Sequence, residues 1–225
     1  MTPTNRTLVI MAKAPRVGSV KTRLADTLPL PAVTELYRCL LNDTIALAQA
    51  LDRVDVAIMC PASDVEDLSR SVPRTVRVVP QTGQGLAAGL TCVFAHFTNP
   101  GHQRVIAFNS DSPHLPTSIL ESGFGGLETC DLVVGPTHDG GYYLVGAKAS
   151  HPDLFSNDGM GTANALEALL TRARALRLSV YLTDPFYDID VADDLSQLAD
   201  ELQRIPGKAP RTAKWLSEWA STRRE

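Results

Sequence analysis

The chain has 225 residues, 44% of them hydrophobic and 20% charged, with a formal net charge of -4 at pH 7. This suits one globular α/β domain over residues 1–225 with a full core and no need of disulfide staples, and it gives no global basic surface for nucleic acid. Cys39, Cys60, Cys92 and Cys130 are irregularly spaced with no C-x-x-C pair, which argues against structural zinc and for reduced thiols in a cytoplasmic protein.

The polar start and the short apolar run at residues 8–11 predict neither a signal peptide nor a membrane span. Residues 7–12 (TLVIMA) predict a buried strand, followed by a loop at 14–22 that contains Pro15 and Gly18. Residues 31–51 predict a helix with Val33, Leu36, Tyr37, Leu40, Leu41, Ile45 and Leu47 near one side. Strands at 55–60 and 76–80 flank a short helix at 65–71, and 85–97 is helical in pattern. The run RVIAF at 104–108 predicts a central strand ending at Asn109-Ser110-Asp111-Ser112-Pro113. A helix at 117–126, strands at 131–135 and 141–147, a helix at 162–176, a strand at 179–183 and a helix at 191–204 follow. Residues 207–225 form a basic tail whose Trp215 and Trp219, four apart, predict a helix that docks on the body or contributes a homodimer contact.

Alternating apolar strands and amphipathic helices predict a three-layer α/β/α, Rossmann-like fold with a mostly parallel mixed sheet. In such sheets ligands bind beyond the carboxyl ends of the strands. The loops after residues 12, 80 and 108 are therefore the ones to read.

The first loop carries Lys13, Arg16, Lys21 and Arg23, four cations in eleven residues after a strand. Cations beside backbone N–H groups make a polyphosphate site; a solvated basic loop is the bland alternative. The G-x-x-x-x-G-K-[ST] spacing is absent. Asp111 follows the central strand, where a carboxylate needs a partner or a metal. Magnesium takes one or two carboxylates with phosphate oxygens and water, so Asp111 fits a metal site, the alternative being a turn or helix cap. Asp188 and Asp190 alternate and so point the same way in extended chain, and Asp190 stands at a helix N-cap position. In the stretch 135–143, Asp139 precedes Gly140-Gly141: it could contact acceptor hydroxyls or act as a general base, or the pair could be a hairpin turn. Gln84 and Gly85 open a helix with small residues, which lets a flat base or ribose lie against the backbone. No H-E-x-x-H or G-x-S-x-G pattern is present.

Four segments, AKAPRVGSVKTRL at 12–24, SDSPHLP at 110–116, GPTHDGGYYLVG at 135–146 and DIDVADDL at 188–195, together resemble the rSAM/selenodomain-associated transferase family. These are arsenosugar-type glycosyltransferase-like proteins of the nucleotide-diphospho-sugar transferase (GT-A) superfamily. The resemblance implies a GT-A fold, a metal (Mg²⁺ or Mn²⁺) held by Asp111 and Asp190, and donor phosphates contacted by Lys21, Arg23, Lys13 and Arg16. The layout is also similar to the molybdenum-cofactor and phospholactate guanylyltransferases, and residues 84–90 resemble the base-side loop of the former. The chain departs from the family at Asn109-Ser110, in the uncharged loop near 85–90, and at Met160-Gly161-Thr162.

The expected activity is transfer from a nucleotide-activated donor: a glycosyl group from a nucleotide sugar to a small acceptor, with Asp111, Asp139 and Lys21 as catalytic residues. Nucleotidylyl transfer with release of pyrophosphate, and non-catalytic nucleotide binding, are the alternatives. The expected partners are a nucleotide or nucleotide-sugar donor and a small-molecule acceptor, with no nucleic acid and no membrane.

Overall fold

The computed structural model describes residues 4–98, 103–155 and 164–222. β1 (Arg6–Met11) is an unbroken run of buried residues at its centre, which needs packing on both faces. It pairs in parallel with β2 (Asp55–Pro61) on one side and β4 (Arg104–Asn109) on the other. β3 (Arg77–Gln81) is the edge beyond β2. Past β4 the sheet continues through β6 (Tyr142–Ala147), β5 (Leu132–Pro136) and β7 (Val180–Leu182), giving the order β3-β2-β1-β4-β6-β5-β7. β6 runs antiparallel to both neighbours. A tight connection between β5 and β6 permits only that pairing.

Alternate residues of the strands supply the two faces. Leu8 and Ile10 pack with Tyr37, Leu41 and Phe124, from α1 (Leu30–Gln49) and α4 (Thr117–Thr129), and with Leu68 of α2 (Val65–Ser71). Val9 packs on the other side with Leu90, Val93 and Phe94 of α3 (Gly85–Phe97) and with Leu169 of α5 (Ala165–Ala175). The fold is thus a mixed α/β structure with a mostly parallel seven-stranded sheet flanked by helices.

α6 (Ala192–Arg204) and α7 (Pro210–Thr222) add a layer outside α1, where Leu36 and Leu40 meet Leu198, Leu202 and Leu216. Asp43, wholly buried on α1, accepts hydrogen bonds from Thr212 N–H at 2.8 Å and Thr212 Oγ1 at 2.9 Å and pairs with Arg211. It satisfies the start of α7 from a neighbouring helix. Trp215 and Trp219 stack at 5.5 Å and are partly buried against this layer, so the tail helix packs on its own body.

Two helix ends differ from the sequence reading. α4 runs past Gly126 to Thr129. That glycine is not a stop signal but a close approach: a Cβ there would come within 2.6 Å of the Tyr181 ring. α6 is capped at its start by Asp194, whose Oδ2 accepts from the N–H groups of Asp190 and Val191 at 2.7 and 2.8 Å. Asp190 is therefore not the cap. The predicted helix start at Thr162, like the Met160-Gly161-Thr162 departure, lies outside the described residues.

Candidate functional site

β1 has β2 on one side and β4 on the other, so the strand order reverses beside β1 and a crevice opens beyond its carboxyl end. A cleft of about 920 Å³ lies there. Lys13, Lys21 and Arg23 come from the loop after β1, Gln84 and Gly85 from the start of α3, and Asp111 from beyond β4; Asp190 completes the wall. Arg16 and Asp139 do not line it.

At the floor of the cleft, Lys21 pairs with both proposed metal ligands. Its Nζ forms an ion pair with Asp111 Oδ2 and lies 2.9 Å from Asp190 Oδ1. The Lys21 and Asp111 side chains are only 8% and 13% exposed. Burial works against the ammonium charge, yet the two carboxylates outweigh it and hold Lys21 well above the ordinary lysine range. Lys21 has φ 47 and ψ 44, a left-handed conformation that costs a residue with a Cβ about 1 kcal/mol. The ion pairs offset that cost. Arg23 NH1 reaches Asp190 Oδ2 at 3.1 Å.

Two acceptor atoms are left over. Asp111 Oδ1 and Asn109 Oδ1 are buried with no hydrogen-bond partner. Asn109 donates from Nδ2 to Asp188 Oδ1 at 2.7 Å. The Asp188 carboxyl is pushed up to about 7, first by burial and then by the negative charge of Asp111. The site thus gathers three carboxyl groups, Asp111, Asp188 and Asp190, around the two cations Lys21 and Arg23, with two acceptor oxygens unfilled. Among the described residues no three His, Cys, Asp or Glu side chains form a metal-holding group. The donor set instead fits a hard cation held by two carboxylates and completed by phosphate oxygens and water.

The other cations divide. Arg16 does not face the cleft: its guanidinium bonds Asp64 at 2.7 Å, Asp67 at 2.6 Å and Ser63 O at 2.8 Å. Asp64 also accepts from Ala14 N–H at 2.8 Å. Arg16 therefore clamps the first loop onto the segment after β2, and its donors are engaged. Lys13 is exposed at the cleft and forms no ion pair among the described residues.

Asp139 Oδ1 accepts from Thr137 Oγ1 and, at 3.2 Å, from Gly141 N–H. The Thr137 bond, then that of Gly141, holds its carboxyl below the usual range despite some burial. These bonds are those of the turn between β5 and β6, in which Gly140 has φ 87. Gln84 and Gly85 open α3 with no side-chain cap; Gly83 and Gly85 take φ 81 and 82, which only glycine adopts freely. Gln81 Nε2 straps this turn to the carbonyls of Gly83 and Gly85 at 3.3 and 3.2 Å.

Tyr37 and Asp188 are absent from the sequence-based site. Tyr37 OH accepts from Lys13 N–H at 3.1 Å and shares a hydrogen with Ser110 Oγ at 3.0 Å, which ties the two cleft loops together. Its place on the apolar side of α1 hides a polar tip. Asp188 was legible only as the partner of Asp190 in an alternating pair.

Solved structures resemble this one over nearly their whole length. A protein of Desulfovibrio desulfuricans G20, provisionally assigned as a nucleotide-diphospho-sugar transferase, is 26% identical with TM-score 0.88, over 97% of this chain and 96% of that one. A 4-diphosphocytidyl-2C-methyl-D-erythritol synthase from Anaerococcus prevotii shares the fold at 10% identity and TM-score 0.60, over 90% and 97%. So does a nucleotidyl transferase from Methanothermobacter thermautotroptrophicus, at 18% identity and TM-score 0.56, over 90% and 100%. No curated protein matches the chain. The family model described as "Uncharacterized protein conserved in bacteria (DUF2064)" matches residues 44–162, and the chain belongs to that family.

Proposed function

We propose that the protein is a nucleotide-utilising transferase that moves a glycosyl group from a nucleotide sugar to a small acceptor with the help of a divalent metal. One observation carries the reading: the Lys21 ammonium bridges Asp111 and Asp190 in the cleft while Asp111 Oδ1 stays buried and unpartnered. A cation already stands where the metal is needed, beside an oxygen that still lacks a ligand. The 26% identical structure from Desulfovibrio desulfuricans supports a nucleotide-sugar donor. The motif resemblance supports kinship with the rSAM-associated, arsenosugar-type transferases.

Asp111 and Asp190 would hold Mg²⁺ or Mn²⁺, which when bound neutralises charge growing on the departing diphosphate. Lys13, Lys21 and Arg23 put positive charge on the phosphate side of the cleft, and the uncapped start of α3 at Gln84 and Gly85 receives the base or ribose. The acceptor hydroxyl oxygen bonds to the anomeric carbon. The bond from that carbon to the β-phosphate oxygen breaks, the nucleoside diphosphate leaves, and a carboxylate takes the hydroxyl proton. Asp139, the sequence-based choice for that base, lies outside the cleft lining and is engaged in the β5–β6 turn. Asp188 is the better placed, since it lines a pocket adjoining the cleft and is oriented by Asn109.

The three cleft cations also suit a triphosphate, which favours nucleotidylyl transfer as the second reading. Incubation with Mg²⁺ and single nucleotides separates the two. Thermal stabilisation by a nucleotide sugar, with no pyrophosphate released from any triphosphate, supports glycosyl transfer. Acceptor-dependent pyrophosphate release supports the other. An activity that survives Asp111→Ala would remove the metal role from either.

A further inference from the structure

Three consecutive backbone N–H groups in the loop after β1 are engaged by the protein itself. Ala12 N–H donates to Met59 O at 3.1 Å, Lys13 N–H to Tyr37 OH at 3.1 Å and Ala14 N–H to Asp64 Oδ2 at 2.8 Å. This stretch therefore has no backbone donor left for a phosphate. Ala12 and Ala14 are buried, while Lys13 between them is exposed and lines the cleft. What the stretch presents to a ligand is the Lys13 ammonium, placed by the backbone that these bonds hold.

One of the three bonds reaches the opposite wall. Tyr37, 3% exposed on α1, is held neutral by burial, which raises its hydroxyl above the ordinary tyrosine range. The oxygen that takes the Lys13 N–H also lies 3.0 Å from Ser110 Oγ and 3.3 Å from Lys13 O. Seven residues on, about two turns along the same face, Thr44 Oγ1 donates to Ser110 O at 3.2 Å. Ser110 precedes Asp111, so α1 grips the neighbour of the proposed metal ligand by both side chain and carbonyl. The Lys21–Asp111 ion pair spans the same loops, but its charges are those that a metal and phosphates would engage. The Tyr37 link is made of groups that remain with the protein.

We infer that Tyr37 is a positioning residue, which fixes the spacing between the Lys13 ammonium and the Asp111 carboxylate so that a metal and the diphosphate it chelates are gripped together. It acts through Lys13 and Ser110, and the inference rests on the nucleotide reading of the cleft. The physical reason is preorganisation. A loop already held in its binding position loses no further entropy when the ligand arrives, and a contact misplaced by about 1 Å forfeits much of its worth.

Calorimetry on the full chain with Mn²⁺ tests it. UDP, GDP, ADP and CDP are titrated singly, and a diphosphate that binds is followed through the variants. Tyr37→Phe is expected to raise its Kd about fivefold, the worth of one hydrogen bond. Lys13→Ala, worth about fivefold by itself, should add less than about twofold in the Tyr37→Phe background, because the ammonium is then no longer held in place. Ser110→Ala should also raise the Kd, and its loss should not add to that of Tyr37→Phe, since both break one link. A tyrosine that only supports the fold would lower the melting temperature and leave the full Lys13 effect in both backgrounds. That result, additive losses from Ser110 and Tyr37, or an unchanged Kd in Tyr37→Phe overturns the inference and leaves the nucleotide cleft standing. If Tyr37→Phe does not fold, the same cycle with Ser110→Ala and Lys13→Ala decides. Failure of all four diphosphates to bind the unaltered protein overturns the nucleotide reading itself, and the inference with it.

Discussion

The Lys21 ammonium and the Asp111 carboxylate form a buried ion pair from opposite sides of the cleft, one from the loop after β1 and the other from beyond β4. The pair uses Oδ2 of Asp111 and leaves Oδ1 bare. The ammonium thus stands between the two carboxylates to which the proposed divalent cation is assigned.

Lys21→Met should therefore act differently with and without metal. Breaking a buried pair leaves an uncompensated charge and costs about 3 kcal/mol, read as a lower denaturation midpoint in EDTA. Mn²⁺ should restore more stability to the variant than it adds to the unaltered protein, because no ammonium competes for the carboxylates. Equal gains in both would mean that Lys21 and the metal do not share a site.

Asp111→Asn and Asp190→Asn should weaken or abolish stabilisation by Mn²⁺. A metal at about one hundred times its Kd adds about 2.7 kcal/mol, a change easily seen in a thermal melt. Asp139→Asn should leave that metal response intact and loosen only the β5–β6 turn, since its carboxylate serves Thr137 and Gly141. Loss of the metal response in Asp139→Asn would move the metal site toward the turn.

The cations of the first loop should separate in nucleotide affinity. Lys13→Ala is expected to raise the Kd of a bound nucleotide about fivefold, as for a solvent-exposed charge-assisted contact, with a shallower salt dependence. Arg16→Ala should change the Kd less, because its donors are engaged by Asp64, Asp67 and Ser63. Isothermal titration at two salt concentrations distinguishes these outcomes from a loop that binds through Arg16.

His114 should make the fold acid-sensitive. The ring is fully buried against Phe186 and Tyr187, and neither nitrogen has a partner. Burial, assisted by the charge of Lys208, lowers it from 6.5 to about 3. Below pH 6.5 the unfolded chain binds a proton that the folded ring refuses, so this part of the stability is complete above 6.5 and lost as pH falls toward 3. The slope is about 1.4 kcal/mol per pH unit within that window. His114→Leu should flatten urea-denaturation stability between pH 6 and 4.5; an unchanged slope would assign the acid sensitivity to other groups.

Asp43→Ala should release α7. It removes a buried acceptor from Thr212 N–H and Oγ1, a charge-assisted arrangement worth about 2 kcal/mol. Hydrogen exchange should rise first in residues 209–222. A uniform rise across the sheet instead would show that α7 is an integral part of one cooperative unit.

Much of the fold was legible because burial leaves a local mark. TLVIMA and RVIAF are continuous apolar runs, and a strand covered on both faces needs them; β1 and β4 are where those runs predict them. Helix ends were less legible. Gly126 serves the contact with Tyr181 rather than a stop, a fact about two elements and not about one. In the candidate cleft, the places of Lys13, Lys21, Arg23 and Asp111 after predicted strands were readable from motif position, whereas Asp190 was reached only through the family resemblance, its local sequence favouring a helix cap.

The amino-acid sequence by itself determined which stretches become strands and which loops carry charge, since side-chain periodicity and hydrophobic runs are properties of neighbouring residues. Only the tertiary structure decided how those charges pair. It turned Lys21 onto Asp111 and Asp190, drew Arg16 away to Asp64 and Asp67, and gave the cap of α6 to Asp194 rather than Asp190. Pairing depends on distances between residues remote in the chain and on the water excluded between them, and neither quantity exists until the elements have packed.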